Sequence, residues 1–262
     1  MMRVSHEVPL SLLEQSRSFN SFDYCLSFLL DKYPVYKDFF IKSRELGRTV
    51  FLDNSVFELE KAALLEDFYK AILLIKPTYY IIPDVLENCE ATIKNIEDWC
   101  FKYGSINGLK IGVVQGKTFE ELVQCYRACD KLCDVVAISF DYSYYLTTVP
   151  ESVGTIEERY SRGRIKFIQA LVRLGIINHN KWHHCLGCYT PQEMLSYKTY
   201  TFIKSVDTSN PIVHAIKGIR YTPYGLKIKE KMKMCDLMGV LPEQINQELL
   251  NYNISMFKEF CS

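Results

Sequence analysis

Short apolar runs alternate with longer segments of helical period along most of the chain. The apolar runs predict strands at 3–7, 49–53, 78–83, 110–115, 134–139, 182–187, 202–207 and 216–220. The helical patterns lie near 22–45, 61–75, 89–103, 118–131, 156–176, 190–198, 226–238 and 242–259. This alternation is typical of repeated βαβ units around a parallel sheet. We therefore predict an α/β fold, a (β/α)8 TIM barrel in a single domain over residues 1–262, with an open doubly wound sheet as the alternative.

Composition narrows the class of protein. The chain has 262 residues, and its formal net charge of zero argues against a protein that coats nucleic acid by charge alone. No apolar segment opens the chain, so its ten cysteines indicate reduced thiols and a cytoplasmic location. No apolar run is long enough to span a bilayer, so we expect no membrane partner. The sequence does not determine an oligomeric state.

Polar side chains end several of the predicted strands. Asp53 and Asp207 close two apolar runs, Asp84 follows a third and Gln115 ends a fourth. In barrels of this class the carboxyl ends of the strands carry the chemistry. One carboxylate can attack a sugar anomeric carbon while a second handles protons. The alternative is that each aspartate caps the helix that follows it.

Asp84 and Gln115 also suit the edge of a purine. A carboxylate accepts from the N1–H and exocyclic amine of guanine, and an amide can donate to O6. Gly116 would let a ligand approach the backbone closely. Turn chemistry at a strand end explains the same residues equally well.

Two groups of cysteine and histidine suggest metal binding only weakly. Cys125, Cys129 and Cys133 share one helical face, where an apolar stripe against the sheet is the favoured interpretation. His183 and His184 would point to opposite sides of a strand. A single Cys-x-x-Cys, here from Cys185 to Cys188, is insufficient for a zinc site. We therefore predict no metal and no other cofactor.

Basic residues gather towards the end of the chain. They include Lys217, Arg220, Lys227 and Lys229, with Tyr221 and Tyr224 between them, and Arg162, Arg164 and Lys166 make a smaller cluster. Such an edge could bind a phosphate backbone, and a solvated helix face is the alternative.

Several stretches occur in the same order as motifs of the tRNA-guanine transglycosylases. Asp53-Asn54-Ser55-Val56-Phe57 resembles their Asp-Ser-Gly-Gly-aromatic motif, and Gly112-Val113-Val114-Gln115-Gly116 resembles Gly-Ile-Val-Gln-Gly. Leu186-Gly187-Cys188-Tyr189-Thr190-Pro191 resembles Met-Gly-x-Gly-x-Pro. Val206-Asp207-Thr208-Ser209-Asn210-Pro211 resembles Phe-Asp-x-x-x-Pro, which holds their nucleophile. Asp84 falls where the family keeps its guanine-binding aspartate.

The chain departs from the tRNA enzymes at defined places. Only Cys235 and Cys261 follow Asp207 among the cysteines and the last histidine is His214, so the family's zinc motif and its C-terminal zinc subdomain are not carried over. Ser55-Val56 replaces one glycine pair, and Ser139-Phe140 replaces another. The residues within these motifs are more similar to those of the short phage-encoded transglycosylases that act on DNA.

The resemblance implies a base-exchange enzyme of the pentosyltransferase class, which replaces guanine in DNA with a 7-deazaguanine such as 7-cyano-7-deazaguanine (preQ0). It implies Asp207 as nucleophile and Asp53 as the proton carrier. The residues expected at the base are Asn54, Phe57, Asp84, Gln115, Gly116, Ser139, Phe140 and Gly187. Phe57 and Phe140 are candidates to sandwich the base, and the basic edge would hold the DNA.

Three other functions remain open at this stage. The first is a zinc-free transglycosylase that acts on tRNA. The second is a metal-dependent barrel hydrolase that uses His183 or His184 with Asp207 and Asp53. The third is a non-catalytic nucleic-acid binder on a decayed barrel. Neither of the last two explains Asp84 and Gln115.

Overall fold

The computed structural model describes the chain except residues 1, 61–63, 229 and 231. The strands are β1 (Arg3–Ser5), β2 (Asp23–Leu26), β3 (Val50–Asp53), β4 (Tyr79–Ile81), β5 (Leu109–Val113), β6 (Val135–Ser139), β7 (Trp182–Leu186) and β8 (Ile203–Asp207). The helices of the first half are α1 (Leu13–Phe19), α2 (Leu29–Lys32), α3 (Pro34–Glu45), α4 (Val56–Leu59), α5 (Leu65–Ile75), α6 (Cys89–Tyr103) and α7 (Phe119–Leu132). Those of the second half are α8 (Ser143–Thr148), α9 (Ile156–Arg173), α10 (Asn210–Ile216) and α11 (Gln247–Phe260). Short 3-10 helices cover Leu10–Leu12, Glu151–Val153, Pro191–Tyr197, Met234–Leu237 and Pro242–Gln244.

Within the described residues the strands form one eight-stranded sheet in the order β1-β8-β7-β6-β5-β4-β3-β2. The pairing of β1 with β8 and the pairings between successive strands from β2 to β6 are parallel. Helices separate successive strands, and a capping box of Thr118 and Glu121 starts α7. The (β/α)8 barrel class is therefore confirmed.

The sequence placed one strand wrongly. Residues 216–220 form no strand, because Ile216 ends α10 and a turn at Gly218 follows. The missing strand is β2, which lies inside the segment predicted as helix 22–45 and pairs with β3. An apolar run of so few residues, followed directly by a helical pattern, has too little local signal to be separated from that helix.

Three further helix predictions also change. The segment 190–198 is a 3-10 helix, Pro191–Tyr197. In the described part of 226–238 there is no α-helix, and Met234–Leu237 forms a 3-10 turn. The helix predicted near 242–259 starts later, at Gln247. Boundaries of this kind depend on caps and tertiary packing, which a periodic pattern does not contain.

The chain divides into two compact units. The first unit comprises Met1–Ser21, Ser139–His179 and His184–Ser262, and the second comprises Phe22–Ile138 and Asn180–His183. The prediction of one domain over 1–262 stays a prediction, and each unit is described by itself. None of the described helices combines the length with the apolar character needed to cross a bilayer.

The first unit contains a close helix pair. A Cβ added at Gly163 of α9 would lie 2.2 Å from the Cβ of Tyr145 on α8, so only glycine permits this approach.

The second unit is rich in aromatic and thiol packing. Phe51, Tyr79 and Trp182 form a ring cluster with centroid separations of 4.7 to 6.1 Å. Cys129 and Cys133 of the predicted cysteine stripe are buried, and a Cβ at Gly112 would lie 2.9 and 2.8 Å from their sulfurs. Burial raises the pKa of the Cys133 thiol. The stripe is therefore an apolar contact between α7 and β5.

Candidate active site

Asp207, at the carboxyl end of β8, is held by a group of buried residues in the first unit. Ser205 and Asp207 are two residues apart on β8 and so lie on one side of the strand. His184 of the neighbouring β7 contacts both, with Nδ1 2.7 Å from Ser205 Oγ and Nε2 2.9 Å from Asp207 Oδ1. The Gly187 N–H also donates to Asp207 Oδ1, at 3.3 Å. We call Asp207, His184, Ser205 and Gly187 the Asp207 set.

The two carboxylate oxygens of Asp207 are not equivalent. Oδ1 accepts both donors, from His184 and Gly187, whereas no described residue donates to Oδ2. The side chain is 6% exposed. Asp207 therefore has one oxygen fixed by the protein and a second that the described residues leave to a reactant.

A buried ion pair supports the turn that carries Gly187. Arg164 donates to the carbonyl oxygens of Leu186 and Gly187, each at 3.0 Å. Its Nε donates to Glu193 at 2.5 Å, and Tyr197 donates to the same carboxylate oxygen at 2.5 Å. Arg164 is 0% exposed, so its place in a basic surface cluster was wrong. A guanidinium can be buried here because a carboxylate and two carbonyls compensate for its lost hydration.

Gly187 is required where it stands. Its φ is +63°, a left-handed conformation that glycine adopts without a steric penalty. A Cβ at this position would lie 2.3 Å from the Phe140 ring, which packs on the turn. Phe140 is buried and also contacts the edge of Tyr189, at a centroid distance of 4.6 Å. Its predicted role against a bound base stays a prediction.

Ser139 makes its hydrogen bonds within the first unit. Its N–H donates to the Tyr142 hydroxyl at 2.9 Å, and its carbonyl accepts from Tyr145 at 3.0 Å. Its own hydroxyl donates to Asp141 at 2.6 Å. These bonds fix the end of β6, and a direct contact from Ser139 to substrate stays a prediction.

Asp84 is held between two amide side chains in the second unit. Asn54 Nδ2 donates to Asp84 Oδ1 at 2.7 Å, and Gln115 Nε2 donates to Asp84 Oδ2 at 2.6 Å. Gln115 Oε1 in turn accepts from the Glu87 N–H at 2.8 Å. Asn54, Asp84 and Gln115 are each 1 or 2% exposed. We call these three residues the Asp84 set.

The Asp84 set presents mainly hydrogen-bond acceptors. Asn54 uses its remaining amide hydrogen on the Ile82 carbonyl and its oxygen on the Val56 N–H. Each Asp84 oxygen accepts one amide donor, and a carboxylate oxygen has two lone pairs. The set therefore suits a ligand edge that carries N–H donors. The Gln115 amide supports Asp84 in this structure, and its contact with purine O6 stays a prediction.

Asp53 accepts a hydrogen bond at each oxygen. The Tyr24 hydroxyl donates to Oδ2 and the Ser55 N–H donates to Oδ1. Ser55 has a φ of +62°, a conformation that suits the glycine found at this place in the transglycosylase motif. Sequence reasoning missed Tyr24, because the segment was predicted to be helical. Phe57, on α4, is 39% exposed.

Gly116 has a structural explanation. A Cβ there would lie 2.8 Å from Glu121 Cβ and 2.9 Å from the Leu122 backbone nitrogen. The first turn of α7 therefore approaches the chain too closely for any side chain at Gly116. Its predicted contact with a ligand stays a prediction.

Three of the residues in the predicted basic edge lie on the surface of the first unit. Lys217, Arg220 and Lys227 are exposed, and Tyr224 is 87% exposed. The Arg220 guanidinium lies 3.5 Å from the centre of the Tyr252 ring. Tyr221 is instead buried, with its hydroxyl donating to Asn210. Lys229 lies outside the described residues.

His183 and His6, like His184, are engaged in hydrogen bonds. His183 Nε2 lies 3.0 Å from the Tyr126 hydroxyl and its Nδ1 lies 3.0 Å from the Lys181 carbonyl. His6 Nδ1 lies 3.2 Å from the Thr208 carbonyl, and burial lowers the pKa of His6 to about 3. Among the described residues no group of three or more His, Cys, Asp or Glu side chains is placed to hold a metal ion.

Comparison with protein-family models and with curated proteins finds no match to this sequence. Membership of the transglycosylase family therefore stays a prediction from the motifs.

Proposed function

We propose that this chain exchanges guanine in DNA for a 7-deazaguanine base through a covalent ester on Asp207. The observation that supports this most is the asymmetry of the Asp207 carboxylate. A nucleophilic carboxylate needs one oxygen directed at the anomeric carbon and a support that fixes the other. Asp207 has this arrangement, because His184 and Gly187 both donate to Oδ1.

In the first half-reaction, Asp207 Oδ2 forms a bond to C1′ of the deoxyguanosine as the bond from C1′ to N9 breaks. The electron pair of the broken bond leaves with guanine, which takes a proton. In the second half-reaction, N9 of the incoming base loses its proton and bonds to C1′. The ester bond then breaks and its electrons return to Asp207. One glycosidic bond replaces another, so the reaction needs no external energy source.

We assign both proton transfers to Asp53. It would protonate the departing guanine and accept the N9 proton of the incoming base. The hydrogen bonds from Tyr24 and Ser55 fix the orientation of its two oxygens. Asp53 and Asp207 thus differ in a way that fits two roles, because both oxygens of Asp53 accept protein donors.

We assign recognition of the base to the Asp84 set. A buried carboxylate flanked by two amides suits the N1–H and 2-amino donors of guanine and of 7-deazaguanines. A hydrogen bond to a charged group contributes about 1.5–3 kcal/mol. A 7-deazapurine that lacks the 2-amino group should therefore bind roughly 10- to 150-fold more weakly.

The exposed cations of the first unit support a nucleic-acid substrate. Lys217, Arg220 and Lys227 carry the charge, and Tyr224 offers an exposed ring. The target nucleotide would leave the base stack for this chemistry, as in other enzymes that act on bases. The alternative of a metal-dependent hydrolase has less support, because both ring nitrogens of His184 lie at hydrogen-bond distance from Ser205 and Asp207.

The test is incorporation of radiolabelled 7-deazaguanine into duplex DNA and, in parallel, into tRNA. We expect label in DNA, and a protein ester that denaturation traps and peptide mass spectrometry assigns to Asp207. Asp207→Ala should abolish both signals, while Asp207→Asn should still bind DNA. The exposed Asp236→Asn variant is the control for loss of one negative charge.

Each other outcome points to a different function. Label in tRNA alone would favour the zinc-free tRNA enzyme. Binding of DNA without incorporation, unaffected by loss of Asp53 and Asp207, would favour a non-catalytic binder. Full activity in Asp207→Ala would refute the mechanism.

A further inference from the structure

Asp207, His184 and Ser205 form a hydrogen-bonded series whose order is informative. Ser205 and His184 are each 0% exposed, and Asp207 is 4% exposed. Of the three side chains, Asp207 alone retains accessible surface. In a serine hydrolase the hydroxyl would be the group that meets the substrate. Here the carboxylate is the reactive end, and histidine has no nucleophile to deprotonate.

The tautomer of His184 follows from its partners. An ionised carboxylate only accepts hydrogen bonds, so Nε2 must carry the hydrogen that points to Asp207 Oδ1. The Ser205 hydroxyl can then donate to Nδ1 across 2.7 Å. This contact on the far side of the ring keeps the imidazole from turning over.

We propose that His184, held by Ser205 with its Nε2–H directed at Asp207, is a positioning residue for Asp207. It acts with the Gly187 N–H to fix Oδ1, so that Oδ2 is the oxygen that meets the anomeric carbon. This inference rests on the proposed function. It adds that His184 transfers no proton during exchange, and that its whole contribution is one directed N–H.

The two half-reactions use this contact differently. When Oδ2 bonds to C1′, Asp207 loses its negative charge and Oδ1 becomes a weaker acceptor. When the incoming base displaces the ester, the charge returns and the bonds from His184 and Gly187 strengthen. Charge-assisted hydrogen bonds are about twice as strong as neutral ones. His184 should therefore accelerate the second half-reaction in particular.

The test compares two replacements of His184. Glutamine can place an amide N–H near the position of Nε2 but cannot act as an acid or base near neutral pH, whereas phenylalanine keeps the ring and removes the donor. We expect His184→Phe to lower kcat by about 100-fold, as loss of one directed donor does at other sites, with KM for the free base unchanged. His184→Gln should recover activity to within about tenfold of the wild type, with the same pH profile.

The trapped ester provides a second measurement. With labelled DNA and no incoming base, His184→Phe should still form the ester. Its discharge by added 7-deazaguanine should slow more than its formation does. Should His184→Phe not fold, Ser205→Ala tests the same contact, because an unanchored ring should lower kcat without changing KM.

Defined results would overturn the proposal. If His184→Gln is as inactive as His184→Phe, or shifts the pH profile, the imidazole itself moves a proton and the positioning role is wrong. A change in KM alone would place His184 in base binding. These failures leave the exchange reaction intact in the wild type. Absence of any exchange in the wild-type protein would instead refute the proposed function, and this inference with it.

Discussion

Replacement of Gly187 by alanine is the most direct test of the packing behind Asp207. The substitution has two costs that the structure separates. Gly187 has a φ of +63°, and an L-residue in this conformation costs about 1–2 kcal/mol. The new methyl group would also lie 2.3 Å from Phe140 Cδ1, and overpacking of this kind costs about 1–3 kcal/mol more. The expected loss in the free energy of unfolding is about 2–5 kcal/mol.

A matched glycine isolates the steric part of this cost. Gly175 has a φ of +65°, but no atom lies within 4 Å of the position its Cβ would take. Gly175→Ala should therefore lose only the backbone contribution of about 1–2 kcal/mol. Urea unfolding followed by circular dichroism measures both variants, and the comparison holds if their m-values agree with the wild type.

A third variant checks the identity of the clashing group. Phe140→Leu should destabilise the wild type, because it removes buried ring atoms, but should cost less in the Gly187→Ala background, where it also relieves the clash. If Gly187→Ala cost no more than Gly175→Ala, or if the two changes were additive, Phe140 would not pack on the Gly187 turn as described.

Three further predictions concern stability. The pKa of His6 is lowered from 6.5 to about 3, so between these pH values the unfolded chain binds a proton that the folded chain does not. The free energy of unfolding should therefore decrease as the pH falls from 6.5 to 3, by up to about 1.4 kcal/mol per pH unit. Urea titrations at stepped pH should show a shallower slope for a folded His6→Asn variant and an unchanged slope for exposed His179→Asn. Arg164→Met should cost about 3–5 kcal/mol by leaving Glu193 buried without its cation, and a failure of added Glu193→Gln to recover stability would contradict this. Ser55→Gly should raise the unfolding free energy by up to about 1 kcal/mol, because it relieves a φ of +62°, and a loss would show that the Ser55 hydroxyl matters more.

Much of the barrel was evident from the sequence. Strands of a parallel sheet are covered on both faces and so appear as nearly continuous apolar runs. The runs that end at Asp53 and Asp207 are strands β3 and β8 with those residues at their ends. The helical pattern predicted near 89–103 is α6, whose bounds are Cys89–Tyr103. These features are local, because burial and helical period are set by neighbouring residues.

The residues that hold the side chains of the candidate site in place were not evident from the sequence. Strand β2 exists because it pairs with β3, and without that pairing its residues resemble the start of a helix. Tyr24 was missed as a partner of Asp53 for this reason. Arg164 has the helical spacing of a surface cation. It is instead buried, because it donates a hydrogen bond to Glu193, 29 positions away in the sequence.

The sequence by itself therefore determined seven of the eight strands in the described part of the chain, and that Asp53 and Asp207 end two of them. Only the tertiary structure decided which oxygen of Asp207 the protein holds, and that His184 and Gly187 hold it. The physical reason is the distance along the chain over which each interaction acts. Burial and period act between residues a few positions apart, whereas a hydrogen bond between two strands depends on pairing and register, which no single segment encodes.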